Sequence, residues 1–132
     1  MIINSDDLFT PEADVTVYVR QLKIENVNEI LVKRLNEYLK KKKCAYWVYL
    51  SKIETLNNDM EVFEKAHYCL IIKADNKKFN YSRDAQALFD IMEPFLRDDA
   101  NIEKFVDVSV IGWQNTIQFD YKKEDCVVLY SI

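Results

Sequence analysis

His67 is the one histidine of this 132-residue chain, and the only side chain whose ordinary pKa places proton exchange near neutrality. It stands two residues before Cys69 in the run AHYCLII. If that run is a strand, alternation puts both side chains on one face. A Cys–His pair is the smallest equipment for nucleophilic catalysis, the imidazole stabilising a thiolate. Positions i and i+2 of a strand stand about 7 Å apart, too far for a direct hydrogen bond. The spacing therefore favours a structural histidine near a strand start. The other candidates are carboxylates. Asp107 lies in the middle of KFVDVSVIGW, and a buried carboxylate is stable only when paired. It is expected to face solvent, with a polar anchor in a binding surface as the alternative. Asp84, Asp90 and Glu93 fall on the outer side of a helical pattern that Asp98 and Asp99 end. There they are solvated charge, since acid–base work needs a cleft that shifts their pKa values. Lys40–Lys43 close an earlier helical pattern and meet the negative end of its dipole, which suits a solvated helix end better than a phosphate site.

The counts remove whole classes of chemistry. The chain has a single glycine, Gly112, where an average chain of this length has about nine. Neither a phosphate-cradling loop nor a dinucleotide fingerprint can be built from one glycine, and no nucleophile elbow exists. One histidine and no CxxC spacing leave no recognisable zinc site, and no EF-hand loop is present. No catalytic residue, metal ligand or cofactor is therefore assigned. Cys44, Cys69 and Cys126 are odd in number and lie inside apolar runs, so they read as reduced, buried thiols. The start, MIINSDDLF, has no signal-peptide pattern, and no apolar run approaches the ~20 residues of a membrane helix. A cytoplasmic protein is expected, with no membrane partner. Asp6, Asp7, Glu12 and Asp14 lie in a stretch free of Lys and Arg and account for the net charge of −4. The rest is neutral, without the basic field of a nucleic-acid binder.

Two elements of domain organisation follow: an acidic N-terminal arm over residues 1–14 and a single α+β domain over 15–132. VTVYVRQLKI at 15–24 alternates as a half-buried strand. Asn26 with Glu29 resembles an N-cap and capping-box glutamate, and Val27, Ile30, Leu31, Leu35, Tyr38 and Leu39 give the stripe of a helix over 27–42. CAYWVYLSKIE at 44–54 and VFEKAHYCLIIKAD at 62–75 predict an antiparallel hairpin. Ser82 is the expected cap of a second helix carrying Ala85, Leu88, Phe89, Met92, Phe95 and Leu96, with Pro94 kinking or breaking its last turn. A strand follows at 104–113, then short strands at 116–121 and 126–132. The order β-α-β-β-α-β plus one or two strands predicts a ferredoxin-like two-layer α+β sandwich.

The strands are apolar or aromatic on both faces, whereas the open face of a two-layer fold is normally polar. Either the C-terminal strands or a partner must cover it. Tyr46, Trp47, Tyr49, Trp113 and Tyr121 are the expected protein-binding surface, since tyrosine and tryptophan anchor interfaces.

Residues 27–132 resemble the C-terminal domain of the enhanced serine sensitivity protein (SseB) family. The resemblance is carried by the leucine-bearing first helix, the strand entry Cys44-Ala45-Tyr46-Trp47 and Leu70-Ile71-Ile72-Lys73-Ala74-Asp75. A second helix, Val106-Asp107-Val108 and the late aromatic Tyr130 complete it. The family's N-terminal domain has no counterpart in this sequence. The resemblance implies no reaction, because the family is described by a serine-tolerance phenotype and not by a catalytic residue.

The expected function is thus a non-enzymatic protein-binding or regulatory module, with a second copy of the chain among its partners. An immunity or inhibitor protein that blocks a toxin or nuclease is the alternative, favoured by small size and an acidic arm. A small-ligand sensor or enzyme built from carboxylates, tyrosines and His67 stands behind both.

Overall fold

The computed structural model describes residues 18–132, so the acidic arm lies outside the described residues. The described part of the first strand is β1 (Tyr18–Leu22), followed by α1 (Glu29–Lys42), β2 (Ala45–Leu56), β3 (Val62–Ala74) and α2 (Tyr81–Arg97). Then come β4 (Val106–Val110), a 3-10 turn (Lys123–Asp125) and β5 (Val127–Ser131).

Both helices are set by asparagine caps two residues away from the expected positions. Asn28 Oδ1, not Asn26, accepts from the N–H groups of Ile30 (2.9 Å) and Leu31 (3.4 Å). Asn80, not Ser82, caps α2: its Oδ1 accepts from Arg83 N–H at 2.9 Å, while Asp84 Oδ2 accepts from Asn80 N–H at 2.8 Å. That reciprocal pairing satisfies two donors that a helix start otherwise leaves open. Lys43 ends α1 in the left-handed region at φ 52, donating its N–H to Leu39, a position that glycine usually fills. Pro94 neither breaks nor separates the last turn, and α2 runs on to Arg97. Pro94 and Asp90 are both exposed, so the Asp90 carbonyl that loses its helical bond faces water, where the loss costs little.

The β2–β3 hairpin is the spine. β3 runs antiparallel to β2 along nearly its whole length, from Ala45↔Ala74 to Leu56↔Val62. The other edge of β2 is shared end to end: β1 pairs with Lys52–Leu56 and β5 with Trp47–Leu50, both antiparallel. Gln21 ties β1 to the segment that leads into β5, its Nε2 donating to Lys122 O at 2.9 Å and its Oε1 accepting from Lys122 N–H at 2.5 Å. On the far side β4 lies parallel to β3, from Tyr68↔Val106 to Ile72↔Val110.

The five-stranded sheet with two helices is an α+β fold, but its strand order is β1-β2-β3-β4 with β5 beside β2. The ferredoxin-like order expected from the sequence requires each helix to link parallel strands separated by a third. Here α1 links directly paired antiparallel strands and α2 links directly paired parallel ones. Element order is common to both arrangements; pairing is not, and the long hairpin takes the centre.

Both helices pack on one face. Leu31, Leu35 and Leu39 of α1 and Ala85, Leu88, Met92 and Leu96 of α2 meet Val48, Leu50, Leu70, Ile72, Val106, Val108 and Val110. Complete burial of each large side chain contributes about 1.5–3 kcal/mol. The second face carries Tyr49, Ile53, Cys69 and Ile71, covered by Ile117 with Phe119, Tyr121 and Cys126. Residues 116–121, expected as a strand, cross this face without joining the sheet. Side chains hold the segment instead. Thr116 Oγ1 accepts from Val110 N–H at 3.1 Å, and Gln118 Nε2 donates to the carbonyls of Val110 (2.8 Å) and Trp113 (2.9 Å).

Candidate functional site

Alternation along β2, β3 and β4 gathers a set of polar side chains on the second face. Ser51, His67, Cys69, Asp107 and Ser109 are all buried there, with Thr55 next to them. Asp107 faces away from solvent because β4 pairs in parallel register with β3, setting Asp107 beside Cys69. The expectation of a solvent-facing position is thereby corrected: His67 and Asp107 are both 0% exposed.

The ring of His67 is held on both sides. Nδ1 lies 2.7 Å from the Lys65 carbonyl, and Nε2 lies 2.6 Å from Asp107 Oδ2. A carbonyl only accepts, so Nδ1 carries a proton. One further proton then lies on the Nε2···Oδ2 axis. Phe105 packs on the imidazole with ring centroids 4.4 Å apart. Glu64 enters through an irregularity in the β2–β3 register, its Oε1 accepting from Thr55 Oγ1 at 3.2 Å. Its carboxyl is raised above the ordinary range by burial first and by the nearby Asp107 charge second, against the opposing pull of His67 and Thr55. One ligand atom from each of Glu64, His67 and Asp107 lies within 4.8 Å of the others.

This geometry removes the Cys–His reading. Nε2 is directed to Asp107, and Cys69 Sγ donates to Leu70 O at 3.8 Å. Burial pushes the Cys69 thiol well up, and the Asp107 charge adds to it. Cys44 is pushed up to about 11, chiefly by burial, and Cys126 is raised by burial as well. A thiol raised in this way is a poor source of thiolate. All three cysteines are free.

Asp84 is buried, against its expected outer position. Tyr38 O–H donates to its Oδ1 at 2.7 Å and Arg83 forks onto both oxygens at 3.0 Å. Burial pushes this carboxyl up, but Arg83, the Asn80 N–H and the Tyr38 hydroxyl outweigh it and hold the pKa below the ordinary value. It is a cap and a clasp between the two helices. Asp90, Glu93, Asp98 and Lys40–Lys43 are exposed and Asp99 is half-buried.

The five aromatic residues expected to form one surface are divided. Trp47, Tyr49 and Tyr121 come together: Trp47 stacks on Tyr49 at 4.4 Å, and Tyr121 meets both at 6.2 and 6.1 Å. Tyr49 is buried, while Trp47 and Tyr121 are half-buried. Tyr46 is exposed on the neighbouring strand position. Trp113 packs on the helix-covered side against Phe79 and Tyr81, its Nε1 donating to Asn76 Oδ1 at 3.2 Å.

Sequence reasoning missed the far end of the hairpin. Asn57 organises it, with Oδ1 accepting from the N–H groups of Asp59 (2.9 Å) and Glu61 (3.0 Å). Met60 stands at φ 61, a left-handed conformation that side chains rarely adopt. It is 55% exposed, and Val62 and Phe63 beside it are each 48% exposed. Asp59 and Glu61 flank them, both exposed. The TLNNDME stretch reads as a polar loop, and the signal that it is more was Met-x-Val-Phe, an apolar cluster directly after the turn.

A groove of about 420 Å³ lies between α2 and the edge strand β4, lined by Leu70, Tyr81, Ala85, Phe89, Val106 and Val108 among others. Among the described residues, the Tyr81 hydroxyl is the buried side-chain polar atom without a hydrogen-bond partner. Burial pushes its pKa up to about 12. No helix of the described residues is long and apolar enough to cross a membrane. Comparison with protein-family models, with curated proteins and with solved structures gave no match to this chain.

Proposed function

We propose that the protein is a non-enzymatic, cytoplasmic protein-binding module that engages its partner with the end of the β2–β3 hairpin. One observation carries this reading: Met60 is held at positive φ in a turn built by Asn57, with its side chain displayed to solvent. A strained residue persists where its surroundings over-determine it, and such positions concentrate at functional surfaces. Val62 and Phe63 extend the apolar end, and Asp59 and Glu61 border it with negative charge. The fitting partner is a protein with an apolar recess rimmed by Lys and Arg. Neither nucleic acid nor membrane suits an acidic rim of this kind. The doubly bonded His67 and the raised thiols support a role without catalysis.

The immunity or inhibitor reading is the narrower form of the same proposal, in which the basic recess is the active site of a toxin or nuclease. A homodimer is its other form, and the SseB-like resemblance is compatible with either because it implies no reaction. Trp47 and Tyr121, at the opposite end of β2, are a separate candidate contact. The test uses the tagged chain in its source lysate at low and moderate salt, with Met60→Gly and Phe63→Ser alongside. Met60→Gly relieves the backbone, so it is expected to fold at least as stably as the parent. It should nevertheless retain its partner at least about tenfold more weakly. Undiminished capture by both variants would sink the hairpin-end reading, and loss in Trp47→Ala alone would move the contact to the aromatic cluster.

A second reading rests on the orphaned Tyr81 hydroxyl beside the α2–β4 groove. A small apolar molecule with one hydrogen-bonding group would fill such a space. Tyr81→Phe should then weaken ligand binding while leaving partner capture untouched.

A further inference from the structure

We propose that Glu64, His67 and Asp107 bind one divalent transition-metal ion, with Zn²⁺ the best-matched, in the second face of the sheet. The three side chains bring one nitrogen and two carboxylate groups together, with ligand atoms within 4.8 Å of one another. A mixed nitrogen–oxygen set of this kind favours Zn²⁺ over the all-oxygen preference of Mg²⁺ and Ca²⁺. The imidazole is already oriented as a ligand. Its Nδ1–H donates to the Lys65 carbonyl at 2.7 Å, the outer contact that metal-binding histidines make to fix tautomer and ring plane. That leaves Nε2 as the coordinating atom, directed at a carboxylate.

Binding exchanges a proton for the ion at a site where His67 and Asp107 are wholly buried. The exchange is balanced: the proton on the Nε2···Oδ2 axis leaves to solvent, and the ion takes the Nε2 lone pair, Asp107 Oδ2 and a Glu64 oxygen.

Nε2 and Oδ2 now stand 2.6 Å apart, a hydrogen-bond distance. Two ligands of a tetrahedral Zn²⁺ stand about 3.3 Å apart, given bonds of about 2.0 Å. The pair must therefore open by several tenths of an ångström, which a rotation of the carboxylate supplies. Glu64 is only half-buried and provides both the mobile third ligand and the way in. Phe105 against the imidazole and Ile53 paired opposite His67 wall the site with apolar surface, which strengthens ligation by excluding water.

The experiment strips the full chain with a chelator, adds equimolar Zn²⁺ or Mn²⁺, desalts, and counts metal per chain by mass spectrometry. About one Zn²⁺ per chain is expected, with a higher melting temperature and a displaced His67 Nε2 nitrogen resonance. Glu64→Gln removes the half-buried ligand without disturbing the His67–Asp107 pair, and should weaken binding at least about tenfold. Cys126→Ser, which removes the half-buried thiol, should leave it unchanged. Failure to retain either metal overturns the proposal. So does retention that Glu64→Gln leaves intact, or metal binding that leaves the His67 resonance in place.

Discussion

On the face that the helices cover, β2, β3 and β4 present Val48, Leu50, Leu70, Ile72, Val106, Val108 and Val110, all apolar. On the opposite face the same strands present Tyr49, Ser51, Ile53, His67, Cys69, Ile71, Asp107 and Ser109, with Ser51, His67, Asp107 and Ser109 buried. An apolar face is stabilised by area and is forgiving about which apolar side chain fills it. A buried polar face must satisfy each donor and acceptor, and it therefore distinguishes one strand register from another. A one-residue slip of β4 would carry Asp107 into the helix-covered core, away from His67. The first face makes the sheet stable; the second makes its alignment unique.

Four measurements test that contrast. The largest effect is expected from Asp107→Ala or His67→Ala, each lowering stability in urea unfolding by about 3–5 kcal/mol, because the buried ring–carboxylate contact is broken on one side only. The double variant should be less damaged than the sum, with a coupling of about 1–3 kcal/mol; strict additivity would break the contrast. On the apolar face Leu88→Ala should lose about 2–5 kcal/mol, but Leu88→Met less than about 1.5 kcal/mol. Next comes Asp84→Asn, at about 1.5–3 kcal/mol for charge-assisted bonds to Arg83 and Tyr38. The folded-state pKa of Asp84 is depressed, so its contribution is present above the unfolded value near 3.9 and is lost as pH falls through the folded one. The Asn variant should therefore show a shallower acid limb below about pH 4. Glu64 carries the opposite sign. Its folded pKa is raised, so its contribution is present at low pH and lost as pH rises through the folded value. Metal-free Glu64→Gln should gain slightly in melting temperature at pH 7, and a loss there would place Glu64 among the stabilising carboxylates with Asp84.

Much of the fold was legible from periodicity. Leu31, Leu35 and Leu39, then Leu88, Met92 and Leu96, recur at a spacing only a helix places on one side and pack in the core, whereas Ile30, expected in the first stripe, is exposed. The hairpin was legible because CAYWVY and HYCLII flank a turn. Pairing was not legible. Alternation assigns Phe105, Asp107 and Ser109 to one face, but only the parallel register with β3 turns that face inward onto His67. The caps moved because Asn26 and Asn28, like Asn80 and Ser82, are comparably competent capping side chains two residues apart, and residue type alone does not say which one accepts from the first turn. The strand expected at 116–121 failed because β4 is met by the side chains of Thr116 and Gln118 in place of a backbone ladder. Of the candidate site, His67 and Asp107 were each singled out, but in strands 40 residues apart. Their contact is a product of topology that local sequence does not encode. Glu64 was invisible because it reaches the pair through a register irregularity.

The clasp of Gln21 on Lys122 has a dynamic consequence. β5 has five residues, and with the described part of β1 it shares one edge of β2. The Gln21 amide, with the Ile24 N–H that donates to the Asp125 carbonyl at 3.4 Å, ties β1 to the segment that leads into β5, so the two form a composite border along β2 and neither half should open independently. Backbone amides of Tyr18–Leu22 and Val127–Ser131 are then expected to exchange with solvent as one cooperative unit. Gln21→Ala should divide that unit into two, each exchanging at its own rate, and the aromatic group of Trp47, Tyr49 and Tyr121 would be uncovered from the β5 side first.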